Sequence, residues 1–154
     1  MKQLIANAIF FLLCFCSINV AAQKENLINE PDYNKPKLFA DLPQKFDVNI
    51  PALETLLDLP EGQNINFPIT QNKRYQGVVV SKSNPTDTSV KSVVINSTNK
   101  QGATFTFTRI RNEDGSFDYI GRIISYKNSD AFELVKEEGS YRLVKRHLYD
   151  LFNE

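Results

Sequence analysis

Apolar and polar residues alternate with a period of two through most of this chain, from about residue 63 to residue 146. Such a period is typical of β-strands that bury one face, and polar turn sequences interrupt it at regular intervals. The predicted strands span residues 63–69, 74–82, 90–97, 103–111, 117–126, 131–136 and 140–146. The connections are too short for crossover helices, so consecutive strands should pair antiparallel. We therefore expect a mainly β fold, an antiparallel meander of about seven strands that forms a small barrel or a sandwich.

The region just before the meander predicts one further strand and one short helix. Residues 46–50 alternate as a half-buried strand does. Pro51 then occupies a position that the first turn of a helix tolerates, and three leucines after it share one helical face. These leucines are Leu53, Leu56 and Leu57. Pro60 ends the pattern, so the sequence predicts a short N-terminal helix over residues 51–58.

The two predicted strands at residues 103–111 and 117–126 indicate which side chains face the core. Phe105 and Phe107 alternate with a row of threonines, so we expect the phenylalanines to point inward and Ile123 to meet them from the next strand. The threonines on the opposite face are Thr104, Thr106 and Thr108. The second strand carries apolar residues on both faces, which predicts burial on both sides by closure of the sheet or by the helix.

Two glycines and the C-terminal residues add local expectations. Gly77 and Gly121 lie inside predicted strands, where glycine commonly marks a bulge or a bend. Leu148, Leu151 and Phe152 predict an amphipathic turn that closes the domain.

The first 22 residues are typical of a removable export signal. A basic residue, an apolar stretch over residues 9–16 and a small-residue cleavage site at residues 20–22 follow one another. Cleavage would remove both cysteines, so we expect a mature protein without a disulfide. We also expect it to be secreted or periplasmic, with no membrane span once the signal is removed.

The remaining chain divides into a leader, residues 23–45, and a single β domain, residues 46–154. The leader has three prolines among polar residues, which favours a tether or an extended arm on which Phe39 and Leu42 are able to dock. The formal net charge of the chain is +0 at pH 7. A neutral chain has no electrostatic footprint for a nucleic acid, so no such partner is predicted.

Residues that could carry catalysis are sparse. The single histidine, His147, lies among basic residues near the end of the chain, where a surface position is usual. Zinc-binding, nucleophile-elbow and phosphate-loop motifs are absent from the sequence, so it predicts no catalytic residue, metal or cofactor. Five carboxylates could supply a pair for glycoside hydrolysis, although charged turns explain them better. They are Asp114, Asp118, Glu133, Glu137 and Glu138.

Two polar patterns are compatible with binding. Thr104, Thr106 and Thr108 form a row on one strand face and are the candidate binding face, although a solvated face is the commoner reason for such a row. The turn at residues 112–118 brings several side-chain oxygens together, as a calcium site requires. Its Asp-Gly pair is also the usual sequence of a tight hairpin.

A series of short motifs follows one another along the β region. They are Phe46-Asp47-Val48, Tyr75-Gln76-Gly77-Val78-Val79, Thr104-Phe105-Thr106-Phe107, Asp114-Gly115-Ser116-Phe117 and Tyr119-Ile120-Gly121-Arg122-Ile123. This series resembles the β-rich N-terminal or pro-region-like module that precedes metallopeptidase and adhesion domains in some secreted bacterial proteins, and the signal resembles those of Bacteroidetes. Catalysis in those proteins belongs to a downstream zinc domain. The resemblance therefore implies a stand-alone accessory module without catalytic residues of its own.

Together these observations favour a secreted, non-catalytic binding or accessory module. Its expected partner is another secreted or cell-surface protein, such as an exported enzyme, or a glycan or surface glycan machinery, bound through a strand face or a strand edge. The alternative is a small secreted carbohydrate-active enzyme that uses carboxylates in a cleft. A deep polar cleft with two close carboxylates would favour the enzyme, and a filled core would favour the binding module.

Overall fold

Strands dominate the part of the chain that the computed structural model describes, residues 34–69, 72–84 and 86–152. The strands are β1 Lys45–Asp47, β2 Asn64–Pro68, β3 Arg74–Lys82, β4 Val90–Ser97, β5 Thr104–Arg111, β6 Phe117–Ile124, β7 Asp130–Glu137 and β8 Ser140–His147. One α-helix, α1, spans Ile50–Asp58, and a 3-10 helix spans Asp150–Phe152. Within the described ranges no helix is long and apolar enough to cross a membrane. The predicted signal, residues 1–22, lies outside the described residues.

The eight strands form one antiparallel sheet that curls into a half-barrel, in the order β1-β8-β7-β6-β5-β4-β3-β2. From β2 to β8 each strand pairs with the next, so the predicted mainly β meander is confirmed, with eight strands in place of about seven. The strand β1 departs from this order because it pairs with β8, where Phe46 lies opposite Leu143. Since β1 and β2 form opposite edges, the chain between them crosses the sheet, and α1 does so over β4 and β5.

The start of α1 is determined by Asn49 and Pro51. Asn49 Oδ1 accepts a hydrogen bond from the backbone N–H of Ala52 at 3.0 Å, and Pro51 lies in the first turn, where an N–H has no partner within the helix. The predicted leucines all face the sheet and are buried, namely Leu53, Leu56 and Leu57. Burying one leucine side chain contributes about 1.5–3 kcal/mol, so packing holds this short helix in place.

The face of the sheet that α1 covers, here called the inner face, is built around aromatic side chains. Phe105 and Phe107 of β5 are fully buried, and Phe105 pairs directly with Ile123 of β6. The rings of Phe67 and Tyr75 pack on Phe105 with centroid distances of 5.5 and 5.9 Å. The inward direction predicted for the two phenylalanines and for Ile123 is therefore confirmed.

Gly77 permits a close approach between β3 and β4. A Cβ atom on Gly77 would lie 2.5 Å from the carbonyl oxygen of Asn96, so any side chain would collide with backbone. The irregularity in β3 is elsewhere, between Val79 and Ser81, where the register with β4 shifts and Val80 is exposed. The prediction of a bulge at Gly77 is thus wrong, because the glycine is required by its neighbour strand.

The strand β6 is covered along its inner face, but on the opposite face only at Ile124. Gly121 lies opposite Phe107 in a regular ladder, and a Cβ atom there would be 3.1 Å from Leu134 Cβ, so this glycine also makes room and does not bend the strand. On the opposite side of the sheet, here called the outer face, Ile120 is 52% exposed. The predicted burial of both faces is wrong, because α1 covers the inner face and the half-barrel leaves the middle of the outer face open.

The C-terminal segment covers one end of the outer face. Leu148 and Leu151 are buried and pack with Ala131 of β7 and Ile124 of β6 in a small second core. The predicted closing turn is confirmed for these two leucines. Phe152 departs from it because its side chain is 59% exposed.

Part of the predicted leader packs against the domain. Residues 35–44, here called the arm, belong to the same compact unit as the sheet. Phe39 is fully buried and its ring meets Phe132 edge-on at a centroid distance of 5.2 Å, and Leu42 is 5% exposed. Both residues thus dock on the sheet.

Two charged side chains of the sheet hold the backbone of the arm. The buried carboxylate of Asp130 accepts hydrogen bonds from the N–H groups of Leu38 and Phe39 at 2.7 and 2.9 Å. Lys145 Nζ donates to the carbonyls of Phe39 and Leu42, each at 2.7 Å. Because these bonds involve a charged partner, each is stronger than a neutral hydrogen bond.

Asp41 adds an ion-paired contact on the exposed side of the arm. Hydrogen bonds from Lys100 and Lys73 lower the pKa of Asp41 to about 2. The lowered pKa means that this contribution to stability is present above pH 3.8 and is lost as the pH falls towards 2. The carboxylate is 42% exposed, so solvent screening keeps the contribution modest.

Replacing Phe107 should destabilise the domain far more than replacing its neighbour. Phe107→Ala removes a fully buried ring and should cost about 3–5 kcal/mol of unfolding free energy, whereas Thr106→Ala, on the open face, should cost less than 1 kcal/mol. Chemical denaturation measures both values. The reverse ranking would mean that β5 has slipped by one residue, because such a slip exchanges the two faces.

Replacing Asp130 should loosen the arm. In Asp130→Asn an amide N–H₂ group would face one of the two backbone N–H donors, so we expect a loss of about 1–3 kcal/mol of stability. Hydrogen exchange at the amides of Leu38 and Phe39 should accelerate. Asp114→Asn, in an exposed turn, is the control and should leave exchange at both amides unchanged; equal exchange in the two variants would contradict this role of Asp130.

Candidate binding face

The three threonines predicted as a binding face lie together in the middle of the outer face. Thr104, Thr106 and Thr108 are half-buried by neighbouring side chains of the sheet, and their partners across the ladder are on β4 and β6. Thr104 Oγ1 donates to Asn96 Oδ1 of β4 at 3.1 Å. The structure therefore brings the row together with polar and aliphatic neighbours on both sides.

The adjacent strand β6 contributes a second row to the same face. Arg122 lies opposite Thr106, and Ile120 lies opposite Thr108. We call the five residues Thr104, Thr106, Thr108, Ile120 and Arg122 the outer strip. It combines hydroxyl groups, a guanidinium group and an exposed aliphatic side chain within two neighbouring strands.

Glu133 positions the guanidinium group of the outer strip. Its Oε1 accepts from Arg122 Nη2 at 3.1 Å, and its Oε2 accepts from Arg146 Nε at 3.4 Å. The Glu133 side chain is only 15% exposed, whereas that of Arg122 is 40% exposed. Sequence reasoning considered Glu133 as a catalytic carboxylate, and the structure gives it a contact with two cations instead.

The β2 edge of the sheet is occupied by its own side chains. The carbonyl of Asn64 accepts from Gln63 Nε2 at 3.2 Å, and the carbonyl of Asn66 accepts from Arg74 Nη2 at 2.9 Å. Pro68 has no N–H to donate. An incoming strand would have to displace these bonds, so the β2 edge is poorly suited to strand addition.

The β1 edge is short and charged. The strand β1 has three residues, and its two outer ones, Lys45 and Asp47, form ion pairs with Glu137 and Arg142 at 3.1 and 2.8 Å. Short length and charge are the usual means by which an edge strand avoids pairing with another chain. The sheet face is therefore more available for docking than either edge.

Two exposed aromatic rings lie at the end of the outer face. Tyr126, just after β6, is 67% exposed, and Phe152 of the 3-10 helix is 59% exposed. Their planes are nearly parallel, 14° apart, with a centroid distance of 6.2 Å. Sequence reasoning missed this ring pair; the only signal available was an aromatic residue that continues the outer row of β6 into a turn.

Two of the depressions at the surface of the described residues lie away from the outer strip. One of about 740 Å³ opens broadly to solvent between the β1–α1 junction and the β7–β8 turn, and Tyr141 forms part of its wall. A smaller one, of about 210 Å³, lies between the arm and the end of β8. His147 lines it together with Asp130 and Lys145, whose polar atoms already bind the arm.

Three of the remaining predicted carboxylates lie at strand ends or in a hairpin turn. Glu137 pairs with Arg142 and Lys45, and these contacts lower the pKa of Glu137. Asp118 lies 3.8 Å from Lys136, and Glu138 is exposed in the β7–β8 turn. The positions of these three carboxylates in or beside hairpins account for them as ordinary surface charges.

A polar cluster that the sequence did not predict lies where the middle of α1 meets β5 and β6. Glu54 Oε1 accepts from Tyr119 Oη at 2.9 Å and from Arg109 Nη1 at 3.1 Å. Burial and the bond to Glu54 raise the pKa of Tyr119 to about 12. Because Arg109 belongs to β5 and Tyr119 to β6, these hydrogen bonds tie α1 to both strands. Arg109 also lies over the Phe117 ring, 4.5 Å from its centroid.

The Asp-Gly turn uses its oxygens within the hairpin. Asp114 Oδ1 accepts from the backbone N–H of Ser116 at 2.9 Å, and the Ser116 hydroxyl and N–H lower the pKa of Asp114. Asn112 Nδ2 donates to Ser116 Oγ and to Asp118 Oδ2, each at 3.0 Å. In the described part of the chain no group of three or more acidic, cysteine or histidine side chains is arranged to hold a metal.

Calcium should leave the stability of the protein unchanged. If the protein bound calcium, a free calcium concentration of about 100 times the dissociation constant would add ~2.7 kcal/mol to the free energy of unfolding. Such a gain raises the melting temperature by several degrees. Because an amide N–H₂ group points into the Asp-Gly cluster, we expect equal melting temperatures in about 1 mM calcium and in chelator. A calcium-dependent rise that Asp114→Asn abolishes would contradict this view of the turn.

Comparisons of the chain with protein-family models, with curated proteins and with solved structures found no match.

Proposed function

We propose that this chain is a secreted, non-catalytic binding module whose ligand lies across the outer strip. The observation that carries the proposal is that the outer strip lies on an open part of the outer face, whereas the inner face is filled and neither edge is suited to strand addition. The helix α1, the arm and the aromatic core fill the inner face, side chains bind two carbonyls of the β2 edge, and β1 is short and charged. An exposed aliphatic residue beside a guanidinium group is a combination that binding surfaces commonly use.

The contacts of the best-placed carboxylates support a non-catalytic role. Glu133 is bound by two arginines, and Glu54 is bound by Arg109 and Tyr119. Their oxygens hold other side chains in position. A general acid or base needs an oxygen within hydrogen-bond reach of a substrate, and the two surface depressions described above present neither of these carboxylates.

The rigidity of the outer strip also supports binding. Its residues lie on two central strands, and their side chains are held by the sheet and not by loops. The strand β5 pairs with β4 and β6 along its length, and β6 pairs with β7 at Arg122 and Ile123. A surface of this kind loses little conformational freedom when a ligand binds. Export, as the N-terminal residues predict, would place this face where it meets other secreted or cell-surface molecules.

Arginine substitutions in the outer strip should abolish binding without unfolding the protein. Thr104→Arg and Thr108→Arg add bulk and charge at half-buried positions of this face, so each should reduce binding of the labelled protein to cell-envelope and supernatant fractions of the producing organism by about tenfold or more. Thr88→Arg, in the exposed β3–β4 connection, is the matched control and should bind as the wild type does.

The same variants have outcomes that would reject the proposal. Circular dichroism and melting temperature should show that all three arginine variants are folded. Wild-type binding by folded Thr104→Arg and Thr108→Arg would remove the outer strip from the ligand site. A measured turnover that collapses in folded Glu54→Gln or Glu133→Gln would show catalysis, since a general acid or base contributes about 10² to 10⁴-fold.

A further inference from the structure

The two rings of the pair Tyr126–Phe152 are exposed because each follows a residue that is buried, Ser125 and Leu151. Tyr126 directly follows Ser125, which is buried and donates its hydroxyl to Asn128 Oδ1 at 2.7 Å. Because successive side chains point to opposite sides as the extended chain leaves β6, Tyr126 is directed outward and is 67% exposed. Phe152 is presented by the 3-10 helix, whose neighbouring Leu151 is buried beneath it.

Exposure of two large aromatic side chains side by side is costly unless something binds them. Apart from Phe117, the other Phe and Tyr rings of the described chain are buried or half-buried. Adjacent exposed apolar groups on a folded protein typically mark a site of interaction. The two rings stack on each other, so a ligand would pack on the ring faces that point away from the pair. Lys35 donates to the backbone carbonyl of Tyr126 and not to its ring.

The ring pair lies on the same side of β6 as the outer strip, beyond Ile124, which is half-buried against Leu148 and Leu151. Arg122, Ile124 and Tyr126 alternate along one side of β6 and its extension, and Thr104 lies directly opposite Ile124. At about 3.3 Å per residue, the distance from Ile120 to Tyr126 is about 20 Å. An extended ligand would therefore cross aromatic rings at one end and hydroxyl and guanidinium groups along the rest.

The order of the chemical groups along this face fits a carbohydrate ligand better than a protein partner. A protein interface has an apolar centre and a polar rim, whereas here Thr106 and Arg122 are central and the rings are at the end. A sugar ring has an apolar face of C–H groups, which packs on an aromatic face, and hydroxyls at its edge, which bond to groups such as the Thr104 hydroxyl and the Asn96 amide. The formal net charge of +0 gives no preference for an acidic polymer.

We propose that Tyr126 and Phe152 form a stacking site for a neutral polysaccharide whose chain continues over the outer strip. This inference deepens the proposed function and rests on it. The ligand class is a neutral, extended glycan, and the open face would take several sugar units in a row. The hydroxyl groups of Thr104 and Thr106 and the guanidinium group of Arg122 would bond to successive units.

Affinity electrophoresis with the purified full chain tests this site. The probes are four soluble neutral polysaccharides, namely amylopectin, mixed-linkage β-glucan, galactomannan and arabinoxylan, with alginate as the acidic comparison. We expect at least one neutral polymer to retard the wild type, and we expect about 0.5 M salt to leave that retardation unchanged, because such salt screens charge beyond a few ångström. Tyr126→Ala and Phe152→Ala should each weaken binding about tenfold.

Phe117→Ala is the matched control. Phe117 is also an exposed aromatic residue, but it contacts Arg109 at the end of the sheet near α1, so its loss should leave polysaccharide binding unchanged. Absence of retardation by all four neutral polymers would overturn the inference. Wild-type affinity in both ring variants, or retardation by alginate alone that salt abolishes, would also overturn it.

The two proposals fail in different ways. If Thr104→Arg and Thr108→Arg lose envelope binding while Tyr126→Ala retains it and no polysaccharide binds, the outer strip takes a protein and the glycan inference is wrong. If the ring variants lose polysaccharide binding while both arginine variants retain all binding, the stacking site is correct and the outer strip is not part of the ligand site.

Discussion

Burial of Phe105 and Phe107 on the inner face is the interaction on which the rest of this domain depends. Rings from other strands pack around the two phenylalanines, with Phe67 at 5.5 Å from Phe105 and Tyr119 stacked on Phe107 at 5.8 Å. The same alternation that directs the rings inward directs the threonines of β5 outward. Core and candidate binding face are therefore the two sides of one strand pattern, and a register that preserves the core also preserves this surface.

Local patterns were sufficient to predict most of the sheet. Strand alternation, turn residues and the three leucines of α1 each depend on neighbours in sequence, and the observed bounds of α1 and of β2 to β8 lie within two residues of those predicted. The strand predicted over residues 46–50 ends three residues early, at Asp47, because Ile50 already belongs to α1. The pairing of β1 with β8 was not predictable in this way, because a three-residue strand contains no information about a partner so distant in the chain. The role of Gly77 was missed for the same reason, since it is the backbone of β4 that excludes a side chain.

The candidate site also has one part that local sequence patterns predict and one part that they do not. The threonine row follows from a period of two within β5, so the sequence alone places it on one face. The ring pair requires knowledge that the C-terminal segment folds back beside the end of β6, which only the tertiary structure supplies. The contacts of Glu54 with Arg109 and Tyr119 join residues on three elements without any fixed spacing, so no motif search would have found them.

The arm and β1 also determine the order in which the domain is able to form. Leu38 is bound by a carboxylate 92 residues later in the chain, and Phe39 by an ammonium group 106 residues later. Contacts of such high sequence separation carry a large loop-closure cost and form slowly. During synthesis the arm emerges before its binding site exists, so Phe39 stays exposed to water until β7 and β8 have left the ribosome. An unfinished chain that lacks β7 and β8 therefore has no place to bury Phe39, and it would offer this aromatic segment of the arm to a chaperone.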